Sequence, residues 1–503
     1  MAKGNRIIND FEDNVWLDVF YNSVGTYVNV INKDLSEIYK PEPLSKYIKI
    51  GGGYAFKTAQ YKKEGIPVIR ISDFNNEKID ISNCIFYDED DSLSKYELKE
   101  GDIIICLTGG TIGKLGIVQA GLGKLYLNQR VGRFDVLDEN IFEKEYVYWI
   151  ARSVQDTIKQ LAWGAAIPNV SPKQIEQLKF SIPNIDEQRA IIEFLNDLKS
   201  DSIQDKEYFN KSIENHILEL HQTNINLKLA TKEITHQLDL IKNLRQAFLR
   251  EAMQGLLVSN ETSDDKTGAD LLAQIQAEKA QLVKEKKIKK PKPLAPIIAE
   301  EIPFDIPENW TWCRLGEVSD ITRGKGPKYS ENGANLMLNQ KCVRWFTIDA
   351  EYAKSIDLDW YNSLDDLYKL KLNDILVNST GEGTIGRSGM ANENTVNYAY
   401  DSHTLKVRSF VNQSFICSFI NSEYGQKQVE DLKGAKSTKQ TELGATNLNN
   451  FAIPLPPLEI QECIVAKLDE LMSYCDALEE QVKQSQQTNE LLLQQVLREA
   501  LGA

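Results

Sequence analysis

The sequence predicts an α+β chain: two mixed α/β globular domains separated by two long α-helices packed as an antiparallel coiled coil, the whole a pseudo-twofold tandem repeat. Three observations lead there. Several motifs recur at a nearly fixed offset, each copy reads as short strands between glycine or asparagine turns, and each copy closes on a heptad-patterned helix.

The repeat is clearest in DIIICLTGGTIGKLGIV (Asp102–Val118) and DILVNSTGEGTIGRSGM (Asp374–Met390). Asp102 and Asp374 lie 272 positions apart, and Gly113 and Gly386 lie 273 apart. Downstream, SIPNIDEQRAIIEFLNDL (Ser181–Leu198) faces PLPPLEIQECIVAKLDEL (Pro454–Leu471), with Gln188 and Gln461 again 273 apart. GAAIPNVSPKQIEQLKF (164–180) faces GAKSTKQTELGATNLNNF (434–451), and LREA occurs at Leu249–Ala252 and Leu497–Ala500. One unit is written twice, which gives this division: an N-terminal extension (1–40), domain 1 (41–187), a central helical region (188–258), a linker with a short helix (259–309), domain 2 (310–458) and a C-terminal helical region (459–503).

Along the chain, Ile66–Phe74, Gly101–Thr108, Arg130–Val136, Asp374–Thr380 and Thr404–Phe410 read as strands. Glu145–Ala162 and Ser414–Lys433 read as helices, with apolar residues at three- and four-residue steps. From Ile213 the heptad seam runs Ile217, Leu220, Asn224, Leu227, Thr231, Ile234, Leu238, Ile241, Arg245, Phe248. From Ile464 it runs Leu468, Leu471, Cys475, Leu478, Val482, Ser485, Asn489, Leu492, Val496. Such narrow seams mark helices that pair with one another. The first seam loses phase over residues 199–210, which predicts a break. Between the copies, Thr267 and Asp270 can cap a short helix over Leu271–Val283, and KEKKIKKPKP reads as an exposed basic linker.

With 503 residues, 42% hydrophobic and 26% charged, the chain fits two to four globular domains. Neither a signal pattern nor a membrane-length apolar run occurs, so a cytoplasmic protein is expected. Seven cysteines without a CxxC pair point to reduced thiols rather than disulfides or zinc. The net charge of −15 excludes uniform coating by nucleic acid but leaves room for a local basic cleft.

The chemistry is one of recognition. TGEGTIGRS (Thr380–Ser388) nearly spells a phosphate loop, yet Arg387 stands where lysine is needed and the sister turn is one residue shorter. A glycine turn presenting backbone amides and one cation to an anion suits both copies better. The four histidines show no metal spacing, and neither a catalytic constellation nor a dinucleotide fingerprint is present. Loops around the turns are rich in donors suited to phosphates and base edges. In the first copy these are Lys57, Lys62, Arg70, Lys114, Asn128, Gln129, Arg130 and Lys173. In the second they are Arg323, Lys325, Lys328, Gln340, Lys341, Arg344, Thr384, Arg387, His403, Lys436 and Lys439.

Taken together, FDIPENWTWCRLGEV (Phe304–Val318), the paired LKEGDIIICLTGGTIGK and LKLNDILVNSTGEGTIGR, and the closing stretch from Gly434 to Leu471 resemble the specificity subunit of type I restriction-modification enzymes. The resemblance begins near Pro41, and Met1–Lys40 has no counterpart before the second copy. It implies two target-recognition domains, each reading one half of a split double-stranded DNA site. It also implies paired helices that set the spacer and dock two methyltransferase subunits. Those partners would use S-adenosylmethionine to methylate adenine, and restriction/translocase subunits would use ATP and Mg2+. By this resemblance the chain itself is a non-catalytic subunit holding no cofactor or metal. The rival expectations are a stand-alone DNA-modifying enzyme and a scaffold that binds only proteins.

Overall fold

The computed structural model describes residues 25–161, 169–263, 265–286, 288, 290–331, 333, 335–435 and 441–501. It divides into two compact units, one built from the chain up to Ile234 together with Gln484 onward, the other from Thr235–Lys483.

In the first unit a six-stranded sheet has the spatial order Ile48–Gly52, Val131–Val136, Ile103–Cys106, Leu115–Ile117, Glu77–Ile79, Phe74–Asn75. A four-stranded sheet has the order Ile85–Tyr87, Ile66–Ile69, Leu125–Leu127, Glu97–Leu98. The second unit repeats this plan. Its five-stranded sheet runs Ser319–Arg323, Thr404–Ser409, Ile375–Asn378, Ser388–Met390, Phe346–Thr347, and its three-stranded sheet runs Lys354–Ile356, Asn335–Leu338, Ala399–Tyr400. Ile103–Cys106 and Ile375–Asn378 are buried at every position, as a continuous apolar run in mid-sheet requires.

The repeated motif residues frame these strands. Asp102 Oδ2 accepts from Lys99 N at 2.8 Å and Asp374 Oδ2 from Lys371 N at 2.7 Å, so each aspartate closes the turn entering its strand. Gln188 and Gln461 are fully buried. Gln188 Nε2 donates to Ile141 O and Pro183 O while its Oε1 accepts from Glu143 N; Gln461 Nε2 donates to Pro456 O while its Oε1 accepts from Asn412 N.

The helix over Lys144–Leu161 forms as expected. Ser414–Lys433, expected as one helix, is two: Gln413–Asn421 and Glu423–Leu432. Ser422 stands between them in extended geometry (ψ 163°), and its Oγ accepts from Gly425 N. Gly425 permits the break, since a Cβ there would lie 2.3 Å from Phe419 O. A bend hidden inside an apolar period leaves no trace in the period itself.

The first helical region breaks at the expected place, with helices over Ile185–Lys199 and Lys211–Met253. The second long helix is Leu458–Leu501. Every seam residue from Ile213 to Phe248 is buried or half-buried. The other seam departs from the pattern: Leu478 and Leu492 are 45% and 47% exposed, while Leu493 is buried. A straight helix drifts about 20° per heptad from a 3.5-residue seam, which moves the inward face by one position over this length. Asn224, a polar member of the expected seam, donates to the Tyr27 hydroxyl on the Gly25–Leu35 helix. That helix packs into the first core, and Lys33 Nζ caps the carbonyls of Glu499 and Ala500 at 3.2 and 2.9 Å. The long helices share a core in each unit: Ile213, Ile217 and Leu220 with Ala500 in one, Leu249 and Met253 with Ile460 and Ile464 in the other. Arg245 adds ion pairs to Asp476 (2.7 Å) and Glu479 (2.9 Å) within the second unit.

Thr267 and Asp270 form the expected capping box, opening a helix over Gly268–Lys284 that buries Ile275 in the second core. No cysteine is paired, and five of the seven are buried. Among the described residues no helix is long and apolar enough to cross a membrane.

Gln461→Ala should destabilise the second unit by about 1–3 kcal/mol, because it strands the half-buried Asn412 amide and the buried Pro456 carbonyl. Chemical denaturation followed by tryptophan fluorescence measures this, with an exposed helix position such as Gln486→Ala as the neutral comparison.

Candidate nucleic-acid interface

Both copies of the repeated motif form a turn from strand to strand. Gly113 N donates to Cys106 O, Cys106 N to Lys114 O and Lys114 N to Thr111 O. In the second unit Gly386 N donates to Asn378 O, Asn378 N to Arg387 O and Arg387 N to Thr384 O, so the bonds repeat position by position. Gly113 and Gly386 have φ of 77° and 79°, and Gly109, Gly381 and Gly383 are also left-handed. A phosphate loop leads from strand into helix. Here the next element is the strand Ser388–Met390, and Ser388 is buried with its Oγ donating to Asn421 Oδ1. The topology therefore rules out the near match.

Two other segments lock each turn. Leu107 N donates to Arg130 O and Leu107 O accepts from Val170 N; Ser379 N donates to His403 O and Ser379 O accepts from Leu443 N. One residue per unit thus ties together the glycine turn, the segment after a strand of the smaller sheet, and the lead-in to a short helix (Pro172–Glu176 or Ala445–Asn449). The amides of Gly110 and Thr111, and of Glu382 and Gly383, have no hydrogen-bond partner among the described residues.

Around the second turn the side chains converge. Thr380 Oγ1 lies 2.9 Å from His403 Nδ1 and 3.3 Å from Gln340 Oε1. Arg323 donates to Ser402 O and Ser379 Oγ and pairs with Glu442. Lys325 pairs with Asp401 through the main chain as a parallel β-bridge and places its ammonium 4.6 Å from the Tyr368 ring centre. Thr384 closes the turn toward Gly381 O. Burial lowers the pKa of Arg387, and the nearby Arg344 lowers it further. Asp401 is pushed up by burial, and its Oδ1 accepts from His403 N.

A family model, the type I restriction modification DNA specificity domain, matches residues 42–215 and again 307–486. The chain belongs to this family. Among relatives, the type I restriction enzyme EcoEI specificity subunit of Escherichia coli is 29% identical over 256 residues, 49% of this chain and 43% of that protein. The EcoBI specificity subunit of the same species is 23% identical over 469 residues, 90% of this chain and 83% of that one. The chain thus spans less than half the length of the EcoEI relative and most of the EcoBI one. In fold it resembles a chain from a solved structure concerned with complex assembly and conformational transition of the type I R-M system (TM-score 0.51, 16% identity, covering 92% of this chain and 97% of that one).

Within this specificity-domain chain the expected donors separate into several groups. Arg323, Lys325, Gln340, Thr384, Arg387 and His403 gather at the second turn, with Arg344 beside Arg387. At the first, Lys114 sits over the Phe74 ring, and Gln129 and Arg130 are exposed on the segment tied to Leu107. Asn128 is buried and accepts from Arg130 N, so it shapes the turn for its neighbours. Arg70 is forked onto Asp73 and donates to Asn83 O, a holding role. Lys62 and Lys328 pair with Asp88 and Asp357, while Lys57, Lys173 and Lys341 are exposed. Lys436 and Lys439 lie outside the described residues. Sequence reading passed over Thr380 and Asp401; Asp401 stands 273 positions from Asn128, and that offset alone would have exposed the shared turn.

Gly386→Ala should cost more stability than Gly383→Ala. Both force an alanine into left-handed backbone, about 1–2 kcal/mol, but at Gly386 the new Cβ would also lie 2.6 Å from Val429, whereas Gly383 faces open space. Urea midpoints of the two variants check the order.

Proposed function

We propose that this chain is the DNA sequence-specificity subunit of a type I restriction-modification complex, each unit reading one half of a bipartite double-stranded site. The observation that carries the reading is a backbone frame repeated bond for bond around side chains that differ. A duplex offers the same phosphate backbone at both half-sites and different bases, so a shared turn with divergent donors is what two such readers need. The turn amides without a partner among the described residues, and the cations beside them, suit phosphate oxygens. Gln340, His403, Gln129 and Arg130 suit base edges.

The long helices would pair as an antiparallel coiled coil and fix the spacer. At 1.5 Å per residue each is roughly 65 Å long. Exposed Leu229, Leu240, Leu244, Tyr474 and Leu491 on these helices give apolar surface for two methyltransferase subunits. Those partners would bring S-adenosylmethionine and the adenine chemistry, and restriction/translocase subunits would bring ATP and Mg2+. With a net charge of −15, this chain would leave much of the phosphate neutralisation to its partners.

Two experiments test the reading on the complex reconstituted with its methyltransferase subunits. Alanine at both Gln340 and His403 should relax preference at one half-site by about 1–3 kcal/mol per base pair read, leaving the other half-site intact. Fluorescence anisotropy with single-base variants of the mapped site measures this, and loss at both halves would contradict independent readers. Deleting seven residues in phase from each long helix should shorten the preferred spacer by roughly three base pairs, since seven residues span ~10.5 Å and base pairs stack at ~3.4 Å. Sequencing of methylated positions reads the spacer directly.

A further inference from the structure

The two units also share a β-hairpin whose tips have nothing in common chemically. In the first unit the hairpin pairs Phe74 with Ile79 and Asn75 with Lys78, leaving Asn76 and Glu77 at the tip. In the second, Val343 bridges Ile348 and Arg344 N donates to Thr347 O, leaving Trp345 and Phe346 at the tip. Asp80 N donates to Asp73 O and Asp349 N to Cys342 O at the two hairpin bases. Each tip pairs in parallel with the strand that follows the glycine turn: Glu77 with Gly116, Phe346 with Gly389. Gly116 and Gly389 lie 273 positions apart, so Glu77 and Phe346 are equivalent positions. Both are left-handed, at φ 63° and 66°. For a bulky residue such as phenylalanine that conformation is an outlier, and outliers of this kind gather at functional positions.

Glu77 is drawn inward, accepting from Arg152 Nη1 at 2.6 Å and from the Tyr148 hydroxyl at 3.1 Å. Among the described residues the second tip has no such tether. Trp345 is 47% exposed and Phe346 40% exposed, an unusual state for two adjacent large aromatics. Arg387, from the glycine turn, lies over the Trp345 ring at 5.6 Å, and its buried Nε has no hydrogen-bond partner among the described residues. Arg344 stacks on Tyr352 at 4.8 Å, with Asp349 3.8 Å away as its carboxylate neighbour. Two guanidiniums, Arg344 and Arg387, each stacked on an aromatic ring, flank the tip beside the Thr380–Gln340–His403 group. That charge complements a phosphate backbone and is continuous with the proposed base-reading turn.

We propose that the Arg344–Thr347 hairpin tip is a specificity finger of the second unit. Trp345 and Phe346 pack against the apolar edge of bases in the major groove, thymine methyl groups above all, while Arg344 and Arg387 hold the neighbouring phosphate. This rests on the reading of the chain as a DNA specificity subunit and adds to it a residue-level contact and a base preference.

The test uses the full complex with methyltransferase subunits and a DNA site in which each thymine is replaced in turn by uracil, which removes only the methyl group. With the unaltered chain, one replacement in the half-site read by the second unit should weaken binding roughly 5- to 50-fold. With W345A/F346A, binding to the thymine site should fall by a similar factor, and the same uracil replacement should cause no further loss. Because both side chains are exposed, thermal unfolding of the variant should match the parent. Undiminished binding by W345A/F346A, or equal sensitivity of parent and variant to uracil, would overturn the finger. If the variant instead fails to assemble with the methyltransferase subunits, as size-exclusion chromatography would show, the tip is a protein-docking surface and the inference is wrong. If the parent complex shows no sequence preference at all, the broader reading fails and the finger with it, whereas a sequence-selective parent indifferent to every uracil replacement overturns the finger alone.

Discussion

The constraint on which both units depend is the backbone junction at Leu107 and Ser379. At each, one residue donates its N–H to the segment following a small-sheet strand and accepts at its C=O from the lead-in to a short helix. The same residue enters the glycine turn directly. Three stretches far apart in sequence are therefore fixed by main-chain bonds that no side chain can alter. That leaves the surrounding side chains free to vary without moving the frame. Left-handed glycines at Gly113 and Gly386 are the local requirement, because a Cβ at Gly386 would meet Val429 and the strand could not return.

Much of this was readable in sequence. The offsets of 272 and 273 identify the duplication, and alternating or continuous apolar runs place the mid-sheet strands. The Thr267–Asp270 cap and the break after Lys199 were visible as well. What escaped was set by distant contacts. Asn224 resembles a coiled-coil register residue until the Gly25–Leu35 helix supplies Tyr27. Leu492 and Leu493 cannot be ranked by heptad counting once the helix has drifted.

For the site, residue type identified the donors, but only the fold separates free groups from engaged ones. Arg70 and Arg387 look alike in sequence. Arg70 is neutralised by a fork onto Asp73, whereas Arg387 is left with a second arginine nearby. Asn128 and the two buried glutamines accept from or donate to the backbone, while Asp102 and Asp374 each hold a turn amide and also pair with an arginine, Arg133 and Arg408. The hairpin tips had no sequence signature, since Asn76-Glu77 and Trp345-Phe346 share neither residue type nor polarity. Phenylalanine is also not a residue from which left-handed backbone would be anticipated.

Lys33 clasping the carbonyls of Glu499 and Ala500 has a consequence for biogenesis. The first unit is assembled from residues at both extremes of the described chain, with the whole of the second unit inserted between them. During translation every residue of the second unit is present once Lys483 has emerged, while the first core lacks Val496 and Ala500 until residues 484–501 arrive. The unit begun earlier is the later to be completed, and a ribosome halted in between would hold a nascent polypeptide whose first core lacks those side chains.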